Sequence, residues 1–252
     1  MPASLQVVEV AEGVRSLTIS HPEKKNALDA DFLDALEHVL TKEVGVRAWL
    51  LRAQGSVFSS GYDLTALKGF PEGRPLPEVR MGEVFDRLAR HPAPSVALVT
   101  GPAVGAGCEL AAACDFRVGN VSARFSMPPA KLGVVYALKG LQRVASRVGE
   151  QAARRMFLTA RPVGAEEAAR LGLLDVLSDS AEAEAIRLCT EIAALAPLAV
   201  QGMKRGFELF REAREQDLAA YETLRRVSFN SDDAREGKEA LLARRPPKFT
   251  GA

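Results

Sequence analysis

An α/β fold is predicted by three observations. Short apolar runs of strand length alternate with helical periodicities along most of the chain. Glycine-containing turns join strands to the helices that follow. The 252 residues are 47% apolar and 26% charged, enough to bury a large core without a metal or disulfide.

The elements follow in order. LQVVEV and VRSLTIS (14–20), separated by Glu12-Gly13, read as a β-hairpin. From Asp29, a capping residue, Phe32, Leu33, Leu36, Val39 and Leu40 recur at helical spacing. AWLLRA (48–53) and SVALVT (95–100) are strand-length apolar runs. Between them lie a Gly/Ser-rich turn (QGSVFSSGYDL), a Pro/Gly loop (KGFPEGRPLPE) and a helix carrying Val84, Phe85 and Leu88. Leu141, Val144, Ala145 and Val148 share a helical face that ends at Gly149, and a helix from Ala165 stops at Gly172 before strand-like LLDVL. After Ser178 helical patterns dominate to about residue 243. Pro197 suits a first turn, Met203, Phe207, Leu209 and Phe210 offer apolar surface, and the prolines of RRPPKFTGA end the pattern. The expected organisation is a core over residues 1–190 and a helical region over 191–252.

Charge bounds the partners. Lys plus Arg is 33 against 32 acidic residues, a net +1, and there is no Arg/aromatic alternation, so neither nucleic acid nor an anionic membrane is an expected partner. Cys108, Cys114 and Cys189 fit no zinc or CxxC spacing and read as reduced core thiols. The opening MPASLQVVEVAEG lacks a basic stretch and apolar run, so a cytoplasmic location is expected. Ser95 to Cys114 carries one charge, Glu109, but its glycines and Pro102 favour a buried strand, turn and helix over a membrane span.

Two stretches can carry chemistry. TGPAVGAGCELAAACD (100–115) places Gly101, Gly105 and Gly107 between an apolar strand and a small-residue helix, where backbone N–H groups can approach an anion. It is neither a GxGxxG fingerprint nor a Walker loop, and tight helix packing would also explain the glycines. Glu109 argues for more than packing, because a carboxylate seldom stands in an apolar helix start. SVFSSGYDL (56–64) again runs a strand into a turn at Ser59, Ser60 and Gly61, with Asp63 able to cap a following helix. Two such turns can each aim one N–H at a single carbonyl oxygen, the geometry of an oxyanion hole. His38 and His91, the latter at a helix end where a cation suits the dipole, read as structural, and His21 receives no role.

HPEKKNALD (21–29), VFSSGYDL (57–64), VGAGCELAAACDFRV (104–118), FSMPPAKLGVVY (125–136), LTARPVGAEEAARLGLLDVL (158–177) and APLAVQGMK (196–204) resemble, in order and spacing, the crotonase or enoyl-CoA hydratase/isomerase superfamily. The resemblance implies a spiral of ββα units followed by helices that form trimers, often paired as hexamers. It also implies an acyl-CoA thioester substrate, an enolate held by two backbone amides, and no cofactor beyond CoA itself. By motif position those amides belong to Tyr62, after Gly61, and Ala106, after Gly105. Lys24, Ala27, Ser60, Gly61, Asp63 and Gly105 fall where similar proteins contact CoA or substrate. Fixed donors suit this chemistry, because charge moves onto the thioester oxygen only as the reaction proceeds.

Glu109 matches the first of two glutamates that hydratases place around the attacking water; the second position holds Pro129. The segment FSMPPAKLGVVYALKG, with Tyr136, and the C-terminal LLARRPPKFTGA instead resemble the methylmalonyl-CoA decarboxylase branch, although that branch's histidine position is Tyr62 here. The expected catalytic residues are therefore Glu109 and Tyr136. Glu109 supports hydration, and Pro129 with Tyr136 supports decarboxylation of a malonyl-type thioester. A non-catalytic or RNA-binding relative of the family is the remaining alternative. The loop around residues 66–80 is expected to help select the acyl group.

Overall fold

The computed structural model describes residues 4–63, 77–212, 223, 227 and 231–251. The hairpin is present as β1 (Ser4–Ala11) and β2 (Val14–Ser20), paired antiparallel. Asp29 caps α1 (Ala30–Lys42) by accepting from Phe32 N at 2.8 Å, and the helix buries Phe32, Leu33, Leu36 and Leu40, the face its spacing predicts. β3 (Ala48–Ala53), α2 (Pro77–Arg90) and β4 (Ser95–Val99) follow. Most of the Pro/Gly loop, most of the 66–80 segment expected to help select the acyl group, and any helix directly after Asp63 lie outside the described residues.

β2, β3 and β4 run parallel, and β6 (Phe116–Gly119) and β9 (Val176–Leu177) extend the sheet in the order β1-β2-β3-β4-β6-β9. Parallel strands covered on both faces read as near-continuous apolar runs, which is why AWLLRA and SVALV do not alternate with polar residues. Successive side chains still point to opposite faces. Ala48 and Leu50 pack with Val96 and Leu98 against α7 (Ala181–Ala193), through Ala185, Cys189 and Ile192. Trp49 and Leu51 face the other way, into the core formed with α1, α2 and α3 (Ala106–Ala113). Each such fully buried large side chain contributes roughly 1.5–3 kcal/mol.

A second, small sheet joins β5 (Pro102–Val104), β7 (Arg124–Ser126) and β8 (Val163–Gly164). A single 3-10 turn, Pro129–Leu132, leads to α4 (Leu138–Val148) and, after Gly149, directly to α5 (Glu150–Thr159), a helix not marked out by the sequence patterns above. α6 (Ala165–Arg170) precedes β9, of which only two residues pair.

In the C-terminal part, α8 (Pro197–Glu212) and α9 (Asp232–Ala243) continue the helical region. Lys204 on α8 is buried, and its Nζ donates to Asp115 Oδ2 at 2.6 Å and Ala93 O at 3.3 Å, tying the helix to the β4 edge of the core. The three cysteines are free and buried, as expected. Among the described residues no helix is long and apolar enough to cross a membrane.

Candidate functional site

The site is built where the chain leaves β3 and β4. Ser59 pairs parallel with Ala103, and Leu28 pairs parallel with Tyr62, so residues 28, 59–62 and 103 lie side by side. Leu28 N donates to Gly61 O and Asp63 N to Leu28 O, both at 2.8 Å. In that parallel pattern the Tyr62 N–H points away from residue 28. Gly61 holds φ +98°, and a Cβ there would stand 2.7 Å from Val104 O and 3.5 Å from Ala106 N. Only glycine permits this approach. The turn bearing Tyr62 thereby lies against the start of α3, whose first N–H groups are unpaired by helix geometry. Among the described residues, none of the hydrogen bonds joining these turns uses the Tyr62 or Ala106 N–H.

The segment before α1 is fastened to the same turn. Lys25 and Asn26 adopt left-handed conformations, which asparagine tolerates well. The buried Asn26 side chain accepts from His21 N at 2.8 Å and donates to Gln54 O and Val57 O at 2.8 and 2.7 Å. Ser60 N donates to Lys25 O, and Ser60 Oγ to Lys24 O. Lys24 Nζ pairs with Asp63 Oδ2 at 2.8 Å, and the carboxylate raises the ammonium pKa. Asp63 is thus a partner of Lys24. Ala27 is buried beside Leu28. Desolvation, then the nearby Asp29 and Asp63 charges, raises the Tyr62 phenol.

Glu109 stands on α3 almost one turn after Ala106, about 4.5 Å along the axis. It is 2% exposed. The Tyr136 hydroxyl donates to its Oε2 at 2.7 Å, and Arg143 Nη1 donates to its Oε1. Burial raises the Glu109 pKa, opposed by the Arg143 charge and the Tyr136 hydrogen bond, while Asp86 adds to the rise. Burial and the Glu109 charge push the Tyr136 phenol well above its ordinary value. Cys108, next to Glu109, is pushed by burial to about 12 and is no thiolate nucleophile. Gly140 lets these groups meet: a Cβ there would lie 2.4 Å from Tyr136 Cε1 and 2.9 Å from Glu109 Oε2. Pro129 is buried at the head of its 3-10 turn and brings no acid or base.

The profile of the enoyl-CoA hydratase/isomerase family matches residues 9–252. The chain belongs to that family. It is 34% identical to a probable enoyl-CoA hydratase, echA6, of Mycobacterium leprae, over 96% of this chain and 98% of that protein. It is 31% identical to the 2,3-dehydroadipyl-CoA hydratase of Escherichia coli, over 97% and 98%. A solved structure of an enoyl-CoA hydratase/isomerase family protein from Hyphomonas neptunium superposes with a TM-score of 0.90 at 28% identity, covering 100% of this chain and 98% of that one. The crotonase fold expected from the motifs is the fold observed.

Within this hydratase/isomerase fold the ten site residues named from the sequence form two clusters. Lys24, Ala27, Ser60, Gly61, Tyr62 and Asp63 gather at the first turn, against Gly105 and Ala106; Glu109 and Tyr136 touch each other one helical turn deeper. Arg143, Asp86, Gly140 and the fastening role of Asn26 were not read from the sequence. A carboxylate in an apolar helix calls for a cation, but nothing local ties Glu109 to an arginine 34 positions away.

His91 corrects the dipole reading. Its Nδ1 lies 3.1 Å from both Trp49 Nε1 and Ala93 N, and an indole N–H can only donate, so Nδ1 is an acceptor and the ring is neutral. Burial lowers its pKa accordingly. His21 is buried, with its Nε2 3.6 Å from Glu23 Oε1. Among the described residues no cluster could hold a metal ion.

Proposed function

We propose that the protein adds water reversibly across the double bond of a 2-enoyl-CoA thioester, acting as a carbon–oxygen lyase with Glu109 as its one carboxylate base. The observation that carries this reading is the buried Glu109, one helical turn beyond the Ala106 amide and hydrogen-bonded to Tyr136. As the water oxygen bonds to the β-carbon, its proton passes to Glu109 and the double-bond electrons move onto the thioester oxygen. The Tyr62 and Ala106 N–H groups hold that oxygen. The proton then moves from Glu109 to the α-carbon, and the enolate collapses to the 3-hydroxyacyl product. A carboxyl whose pKa burial raises above the ordinary carboxylate value is suited to both transfers. The hydratase names of its relatives support the same reaction.

Lys24, Ala27, Ser60, Gly61, Asp63 and Gly105 form the proposed CoA and substrate contacts. Residues 1–190 form the proposed catalytic core, and the 191–252 helices the proposed contact between copies in a trimer or hexamer. Exposed Met203 and Phe207 on α8 support the latter. Reduced buried thiols support the proposed cytoplasmic setting.

One observation favours a second reading. Pro129 occupies the second-glutamate position, and loss of CO₂ from a malonyl-type thioester generates a thioester enolate, which the same two amides could hold, without a base. Glu109→Gln and Tyr136→Phe, assayed for 3-hydroxyacyl-CoA formation and CO₂ release, separate the two. Hydration requires the first variant to collapse. CO₂ release surviving Glu109→Gln but lost in Tyr136→Phe would overturn it in favour of decarboxylation.

A further inference from the structure

The Glu109 carboxylate has a different neighbour on each oxygen, and the asymmetry originates in a row of charges. Arg143 is 8% exposed, and one guanidinium nitrogen takes Glu109 Oε1 while the other takes Asp86 Oδ1. Asp86 Oδ2 accepts from Lys139 Nζ at 2.6 Å, and Lys139 is exposed. The row Glu109, Arg143, Asp86, Lys139 therefore alternates in sign from the core to the surface, crossing α3, α4 and α2. The Phe85 ring, 6.0 Å from the guanidinium carbon, closes one side of it.

A guanidinium has donors only and does not deprotonate in a protein, so protonating the oxygen it occupies would turn that oxygen into a hydroxyl, a weaker acceptor, and would weaken a charge-assisted hydrogen bond in a dry site. The Tyr136 hydroxyl can exchange its proton and rotate. We propose that Arg143 is a positioning residue that closes Oε1 of Glu109 and leaves Oε2, the Tyr136 side, as the oxygen through which protons move. This rests on reading Glu109 as the proton-handling group of the family's reaction. In the hydration step the water O–H bond breaks, its proton goes to Oε2, and the same proton later leaves Oε2 for the α-carbon. Oε1 keeps its Arg143 contact throughout.

Arg143 also opposes burial, which by itself would keep the carboxyl protonated. The other titratable groups acting on Glu109 are Tyr136, pushed up and neutral near pH 7, and Asp86, whose charge works against ionisation; the neighbouring Cys108 thiol is also pushed up and neutral.

The test is a 13C NMR titration of the full chain labelled at glutamate side-chain carboxyls, with the Glu109 resonance assigned by its loss in Glu109→Gln. In Arg143→Met the Glu109 midpoint is expected to rise by about one to three pH units, with the acid limb of the hydration pH profile moving alongside. Arg143→Lys restores the charge but not the two-pronged grip. Its midpoint should return toward wild type while kcat stays depressed, by up to about 10²-fold for a misplaced group, and KM changes little. Asp86→Asn should lower the midpoint, and it supplies the sign test if Arg143→Met does not fold. An unmoved midpoint in folded Arg143→Met, a rise in Asp86→Asn, or full kcat in Arg143→Lys would overturn the proposal. The NMR readout needs no turnover, so a protein that hydrates no thioester refutes the proposed reaction without touching the Arg143 result.

Discussion

Gly61→Ala strikes the point where the two candidate amides come together. The new Cβ would stand 2.7 Å from Val104 O, some 0.7 Å short of ordinary van der Waals contact, which begins near 3.4 Å. Val104 cannot retreat without carrying Gly105 and the Ala106 N–H with it, and the alanine must also hold φ near +98°. The positive φ costs about 1–3 kcal/mol of stability. Displacing one donor from a developing oxyanion costs about 3 kcal/mol of transition-state stabilisation, or roughly 10²-fold in kcat. Gly55→Ala separates the two effects. Gly55 has φ +84°, and its nearest foreign atom would lie 3.9 Å from an added Cβ, so it shares the strain without the collision. Steady-state kinetics on a short 2-enoyl-CoA, beside thermal melts of both variants, should show a loss of Tm in both, larger in Gly61→Ala by the collision, but a roughly 10²-fold loss of kcat in Gly61→Ala alone. A folded Gly61→Ala protein with wild-type kcat would refute the reasoning, because the turn would then carry no donor that matters.

Gly140→Ala should force the Tyr136 ring away from Glu109, since the added Cβ would lie 2.4 Å from Tyr136 Cε1; a crystal structure with the Tyr136 hydroxyl more than 3.5 Å from Glu109 Oε2, and a lower kcat, is the expected outcome. Lys204→Met should cost roughly 1.5–3 kcal/mol in urea unfolding, because Asp115 loses its buried cation, with kcat per folded molecule unchanged. The Glu236 carboxyl is held down to about 2 by Arg245 and the Lys248 N–H. Its folded pKa lies below the unfolded value near 4.5, so its contribution is present above that value and lost as pH falls toward about 2. Hydrogen exchange of the Lys248 amide, which donates to Glu236 at 2.8 Å, should accelerate over that window beyond its intrinsic pH dependence, and at all pH values in Glu236→Gln.

Much of the fold was legible because period and punctuation agreed. Asp29 and the Phe32-to-Leu40 stripe give α1 its start and its buried face, and AWLLRA and SVALV carry the near-continuous apolar signature of strands covered on both sides. α5 escaped because Gly149 reads as a stop, whereas the chain turns there and enters a new helix at Glu150. β9 is short because only Val176 and Leu177 reach β6. In the site, the glycine turns and Glu109 stand out locally, since φ > 0 and a carboxylate among alanines are each unusual in themselves. Arg143 and Asp86 do not: in sequence they look like ordinary charges on amphipathic helices, and only the packing of α2 and α4 on α3 turns them inward. His91 misled for the same reason, because the Trp49 indole that fixes its neutral state arrives from a strand 42 positions away.

The central claim is that the Tyr62 and Ala106 N–H groups share one oxygen. It is tested most directly by a crystal structure with a non-hydrolysable acyl-CoA thioether or substrate analogue bound. The expected result is the acyl carbonyl oxygen about 3 Å from both nitrogens, with the α-carbon facing Glu109 Oε2. A carbonyl that contacts neither amide, with the acyl group seated away from Glu109, would contradict it.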